Sequence, residues 1–91
     1  MAVLNDEEIE QRLADLEGWH RDGDSLVREF TFDDFQASVE FVNRITPAAE
    51  EMNHHPDLCI SWNKVRLSLT NHSAGGLTDA DFTVAERFDS L

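Results

Sequence analysis

Between Leu26 and Thr70 the spacing of apolar residues switches from two to about 3.6 and back to two, and this double switch narrows the possible folds more than any other feature. In "SLVREFTF" Leu26, Arg28, Phe30 and Phe32 alternate with Val27, Glu29 and Thr31, as a half-buried strand requires. Asp33 or Asp34 can then cap a helix in which Phe35, Val39, Val42 and Ile45 follow the helical period. Pro47 removes one helical hydrogen bond and predicts a kink, or a restart with the proline in a first turn, before the segment ends near Met52 to His54. Beyond Pro56, "DLCISW" and "VRLSLT" form a hairpin across Asn63 and Lys64, with Val65, Leu67 and Leu69 on one face and Arg66, Ser68 and Thr70 on the other.

The flanks complete the pattern. Asn5 caps a first helix with Glu8 as its box partner; Ile9, Leu13 and Leu16 share a face and Gly18 ends it. Asp22 to Ser25 make a turn that folds "WHRDGDSLVREFTF" into a first hairpin. Thr78 caps a last helix with Asp81 as box partner and Phe82, Ala85 and Phe88 as its buried stripe. The order α-β-β-α-β-β-α predicts an α+β fold, a four-stranded antiparallel sheet with three helices packed on one face. Without linker, repeat or low-complexity tract, residues 1–91 read as one domain. If Leu58, Ile60 and Trp62 project to the uncovered face, that face is apolar enough to be an oligomer interface.

A chain of 91 residues buries only a little over ~60 % of its unfolded surface, so a homo-oligomer is expected. Seven Lys and Arg against nineteen Asp and Glu leave a net charge of -12, with the cations scattered among the acids. Such a field repels phosphates and argues against direct nucleic-acid or anionic-membrane binding. A single cysteine, Cys59, excludes an intrachain disulfide and fits a reducing, cytoplasmic setting; its place within a strand reads as a buried small hydrophobe. "MAVLNDEEIE" is no signal peptide, and no apolar run approaches a membrane span.

Three of the four histidines fall between Glu50 and His72. Pro56 disfavours helical geometry at His55, so His54 and His55 project from an element end, while His20 reads as a surface residue. Glu50 stands four residues before His54, near enough on a persisting helix to orient that imidazole and raise its pKa; Glu51 and His55 share the spacing, but proline pushes His55 out of the helix. His72 follows a strand and precedes "SAGG", whose glycines allow close backbone approach to a ligand. Imidazoles in such a set serve as general acids and bases. A metal site built on His54, His55 and His72 with Asp57 or Cys59 is the rival chemistry, but the spacing follows no zinc pattern, and no metal is expected. Phe30, Phe32, Phe35 and Phe41 read as core, and "GGLTDAD" as a loop and helix cap whose acids repel an anion.

These residues resemble a known family, the pterin-4a-carbinolamine dehydratases, whose animal members double as dimerisation cofactors of a homeodomain transcription factor. The resemblance rests on "E-x-x-x-H-H-P" (Glu50, His54, His55, Pro56), "WNKVRLSLTNH" ending at His72, and "GGLTxxD" from Gly75 to Asp81. It extends through "LEGW" and "REFTFDDF" over almost the whole chain, departing at Leu58, where many members carry an aromatic, and at Pro47. It implies a hydro-lyase that dehydrates 4a-hydroxytetrahydropterin to quinonoid dihydropterin, recycling the cofactor of an aromatic amino acid hydroxylase. It also implies a dimer or tetramer and no added cofactor. By the same resemblance His54 and His72 are acid/base groups, His55 chiefly holds the pterin, and Glu50 orients a histidine. Asn53, Thr70, Asn71 and Asp81 border the pterin. The alternative on this scaffold is a non-enzymatic interaction module, or one that binds another pterin.

Overall fold

The computed structural model describes residues 2–91. Its elements are α1 (Asp6–Leu13), β1 (His20–Asp22), β2 (Ser25–Thr31), α2 (Phe35–Met52), β3 (Asp57–Ser61), β4 (Lys64–Leu69) and α3 (Asp79–Asp89). Asn5 and Glu8 form the expected reciprocal cap on α1, each backbone N–H donating to the other's side chain at 2.9 and 2.8 Å. The four strands form one antiparallel sheet in the order β1-β2-β4-β3, so the second hairpin lies against the first through its own second strand.

The helices cover one face of this sheet. Leu26, Val65, Leu67 and Leu69 of the central strands pack there against Ile9, Phe41, Ile45, Ala48, Phe82, Ala85 and Phe88. Phe30, Phe32 and Phe41 extend the core as an aromatic cluster, with centroids 4.6 Å apart for Phe30 and Phe41 and 5.1 Å for Phe32 and Phe41. Among the described residues no helix is long and apolar enough to cross a membrane.

Several expectations are corrected. The second hairpin turns at Trp62 and Asn63, because Ser61 and Lys64 form the closing pair; Asn63 is engaged on both sides, its carbonyl accepting from the Phe32 amide at 2.7 Å and its side chain donating to the Phe32 carbonyl. Leu58 pairs with Leu67 and Ile60 with Val65, which puts both on the helix side of the sheet. The uncovered face therefore carries Glu29, Lys64, Arg66, Ser68, Asp57 and Cys59, and is polar rather than apolar. Cys59 is exposed there, opposite Arg66, instead of buried. Val27 shares this face yet is buried, flanked in its row by His20 and Ser68 on the adjacent strands.

In α2 the buried stripe is Ser38, Phe41, Ile45, Ala48 and Ala49, and Phe35 at the first turn is 55 % exposed. The helix runs unbroken through Pro47. Pro47 and Asn43, whose carbonyl loses its helical donor, both face solvent, where water can serve that carbonyl.

Candidate active site

The end of α2 decides where the paired histidines go. Asn53 adopts the left-handed conformation (φ 50°, ψ 43°), which Asn tolerates better than most residues, and the His54 amide donates back to the Ala49 carbonyl at 3.0 Å. This closure turns the chain sharply after Met52, so His54 leaves the helical face on which Glu50 lies. The Glu50–His54 pairing expected from their spacing does not form.

Each imidazole finds a different carboxylate. His54 Nε2 lies 2.7 Å from Oδ1 of Asp81, twenty-seven residues away at the start of α3. That pair is enclosed, with the His54 side chain 12 % exposed and Asp81 0 %. His55 Nε2 lies 2.9 Å from Oε2 of Glu50, in the open, with side chains 56 % and 70 % exposed. Asp81 also holds the loop before α3: its Oδ2 accepts the Thr78 amide at 2.8 Å and the Thr78 hydroxyl at 3.4 Å. A buried carboxylate requires such donors, since leaving one unsatisfied is costly.

β3 begins and β4 ends at the same edge of the fold, which brings His54, His55 and His72 to one end of the molecule. They do not share one pocket within the chain. His54 lines a hollow of about 510 Å³ with Met52, Asn53, Asn71, Ser73, Ala74 and Ala80. His72, exposed on its loop, lines a neighbouring hollow of about 270 Å³ with Asp24, Ser25, Thr70, Asn71, Gly75 and Gly76. Asn71 belongs to both walls. His55 lines a third, mostly apolar hollow of about 160 Å³ with Ile45, Ala49, Glu50, Pro56 and Leu58.

The other expected residues take these positions. Asn53 and Asn71 border the hollow of His54, and the Asn71 side chain accepts the Ala74 amide at 3.1 Å. Thr70 borders the hollow of His72, but its hydroxyl is 2.6 Å from the Asp24 carbonyl, to which it donates, tying β4 to the β1–β2 turn. Asp24, Ser25, Ser73, Ala74 and Ala80 escaped the sequence reading. Ser73 and Ala74 could have been found from their place between His72 and the glycines; Asp24 and Ser25 carry no such signal, because only the β2–β4 register brings them to the site. Among the described residues no group of three His, Cys, Asp or Glu side chains stands close enough to hold a metal ion.

A sheet with one helical face, and imidazoles and amides clustered where α2, β4 and α3 converge, define a small α+β domain with its polar hollows at one end. The family model described as pterin 4 alpha carbinolamine dehydratase matches residues 2–91, and the chain belongs to that family. A Sulfolobus acidocaldarius protein provisionally named a pterin-4-alpha-carbinolamine dehydratase is 46 % identical over 88 residues, 97 % of each chain. A Mycobacteroides abscessus protein of the same provisional name is 48 % identical over 90 residues, 99 % of this chain and 96 % of the other. The crystal structure of a transcriptional coactivator/pterin dehydratase from Brucella melitensis has a TM-score of 0.92 at 29 % identity, covering 97 % of this chain and 96 % of that one. A pterin dehydratase-like protein identified as a RuBisCO assembly factor in the alpha-carboxysome shares the fold, with a TM-score of 0.64 at 20 % identity over 79 % of this chain and 83 % of that one.

Proposed function

We propose that the protein dehydrates 4a-hydroxytetrahydropterin to quinonoid dihydropterin by histidine acid/base catalysis and so returns oxidised pterin to a reductive recycling route. In this reaction the C4a–O bond breaks, a ring N–H loses its proton, the departing oxygen gains one, and water leaves. It needs a proton donor, a proton acceptor and a pocket for a flat heterocycle. The observation that carries the reading is the enclosed His54–Asp81 pair, whose His54 lines a hollow of about 510 Å³, within the usual range for small-molecule sites, in a member of this family. Asn53 and Asn71 would present amide groups to the pterin edge, and His72 across the shared Asn71 wall would be the second proton-transfer group. His55 with Glu50 would contact the rim of the ligand.

The test follows the ultraviolet decay of freshly generated 4a-hydroxytetrahydropterin with and without protein. Wild type accelerates it, and the His54→Ala/His72→Ala protein loses the acceleration, a drop on the order of a hundredfold or more. Well-folded wild type that leaves the decay at its spontaneous rate would sink the proposal.

The second reading, an interaction module, draws on two exposed aromatics, Trp62 at 68 % and Phe35 at 55 %, at the end of the fold remote from the histidines. The Brucella melitensis protein is named as a coactivator as well as a dehydratase. The unpaired edge of β3, beside the apolar hollow at Leu58, supports assembly into a homodimer or homotetramer. Sedimentation showing only monomer at micromolar concentration would remove that element.

A further inference from the structure

We infer that Asp81 is a positioning residue that holds His54 as its Nε2–H tautomer, leaving Nδ1 as the nitrogen through which His54 exchanges protons with a ligand. The assignment of the ligand as a pterin rests on the dehydratase reading; the tautomer does not.

The argument begins with the carboxylate. Oδ2 of Asp81 receives the Thr78 amide and hydroxyl, so that oxygen acts only as an acceptor. Oδ1, facing His54 at 2.7 Å, is an acceptor too when the carboxyl is ionised, and Nε2 must then supply the hydrogen. Nε2 is thereby occupied. Nδ1 has no hydrogen-bond partner among the described residues, and His54 lines the hollow of about 510 Å³, so Nδ1 is the ring nitrogen left to meet a ligand. When Nδ1 takes up a proton the imidazolium stands against a buried negative charge; when it gives the proton back the pair returns to its starting state, and His54 ends the cycle unchanged.

Glu50 and His55 show the same atoms in contact without the same consequence. That pair is more than half exposed, so water competes for every site on it and no single tautomer is imposed.

The substitution Asp81→Asn tests this sharply because the Thr78 amide demands an oxygen at the Oδ2 position. Meeting that demand turns the Asn NH₂ towards His54, where it donates to Nε2 and forces the hydrogen onto Nδ1. Long-range ¹H–¹⁵N correlation spectra of labelled protein, with the His54 signals assigned by their loss in His54→Ala, should show Nε2–H in neutral wild type and Nδ1–H in Asp81→Asn. In the dehydration assay kcat should fall on the order of a hundredfold with little change in KM. A wild-type His54 in the Nδ1–H form, or an Asp81→Asn protein that keeps Nε2–H or full turnover, overturns the inference. If Asp81→Asn does not fold, the wild-type tautomer decides alone. If wild type shows no dehydration, the pterin reading falls while the spectra still judge the Asp81–His54 relation.

Discussion

The indole Nε1–H of Trp19 is shared between both carboxylate oxygens of Asp89, at 3.0 Å each, across seventy residues of chain. The same carboxylate accepts Arg28 Nη1 at 3.0 Å, and the Arg28 guanidinium lies over the Phe30 ring, 4.4 Å from its centroid. One acid near the end of α3 thus ties the loop after α1 to β2 and to the last helix.

Removing that acid leaves a largely buried indole donor without a partner and takes the carboxylate from the Arg28 guanidinium, which keeps only the Glu17 carbonyl at 3.3 Å as a hydrogen-bond acceptor. Asp89→Ala should cost about 2 kcal/mol, the scale of a lost charged hydrogen bond with an orphaned donor. For a domain of this size that is a fall in Tm on the order of 10 °C, readable in a thermal melt. Asp89→Asn keeps one acceptor for Trp19 and should lose less. Equal Tm values for Asp89→Ala and wild type would show that Trp19 and Arg28 are held by packing alone.

Two glycines allow a matched comparison. Gly18 has φ +91°, and a Cβ there would meet the Arg28 guanidinium at 2.7 Å; Gly23, in the first hairpin turn, has φ +60° with nothing within 4 Å. Each alanine substitution incurs the left-handed strain of about 1–2 kcal/mol. Only Gly18→Ala also pushes Arg28 off Asp89 and Phe30, so its denaturant midpoint should drop further than that of Gly23→Ala. Equal midpoints for the two proteins would mean that Arg28 swings aside without loss.

Much of this fold is legible in the sequence because β4 is a strict alternation and the caps of α1 and α3 are local chemistry. Patterns set a period, however, and not its phase in space. In α2 apolar residues at positions 35, 39, 41, 42, 45, 48 and 49 admit more than one stripe, and only packing against β4 and α3 selects Phe41 over Phe35. Leu58 and Ile60 alternate as a strand should, but which face they join depends on the pair Ser61 and Lys64 that closes the turn. The site shows the same divide. His54, His55 and His72 stand out by composition, whereas the partner of His54 is twenty-seven residues distant and belongs to another helix. The exchange of Glu50 from His54 to His55 hinges on one left-handed residue, Asn53, which spacing cannot announce.

That residue is itself open to test. Asn53→Gly keeps the left-handed cap without steric penalty, while Asn53→Ala must bear about 1 kcal/mol of strain at the end of α2. Stability should therefore rank Gly with or above Asn and place Ala below both. The Ala protein should also lose turnover in the proposed dehydration, since His54 is aimed by this turn. Full stability of Asn53→Ala would mean that α2 ends in another conformation.

The exposed Glu50–His55 pair should matter far less than its motif suggests. A contact this open is worth at most about 1 kcal/mol, so Glu50→Gln should change kcat/KM by no more than about fivefold and lower Tm by no more than about 5 °C. The useful measurement is the ratio of its effect to that of Asp81→Asn, taken under the same buffer and salt. A Glu50→Gln loss as large as the Asp81→Asn loss would place the decisive imidazole–carboxylate pair at His55. It would also imply that another chain or the ligand covers the pair and excludes the water to which Glu50 and His55 are open here.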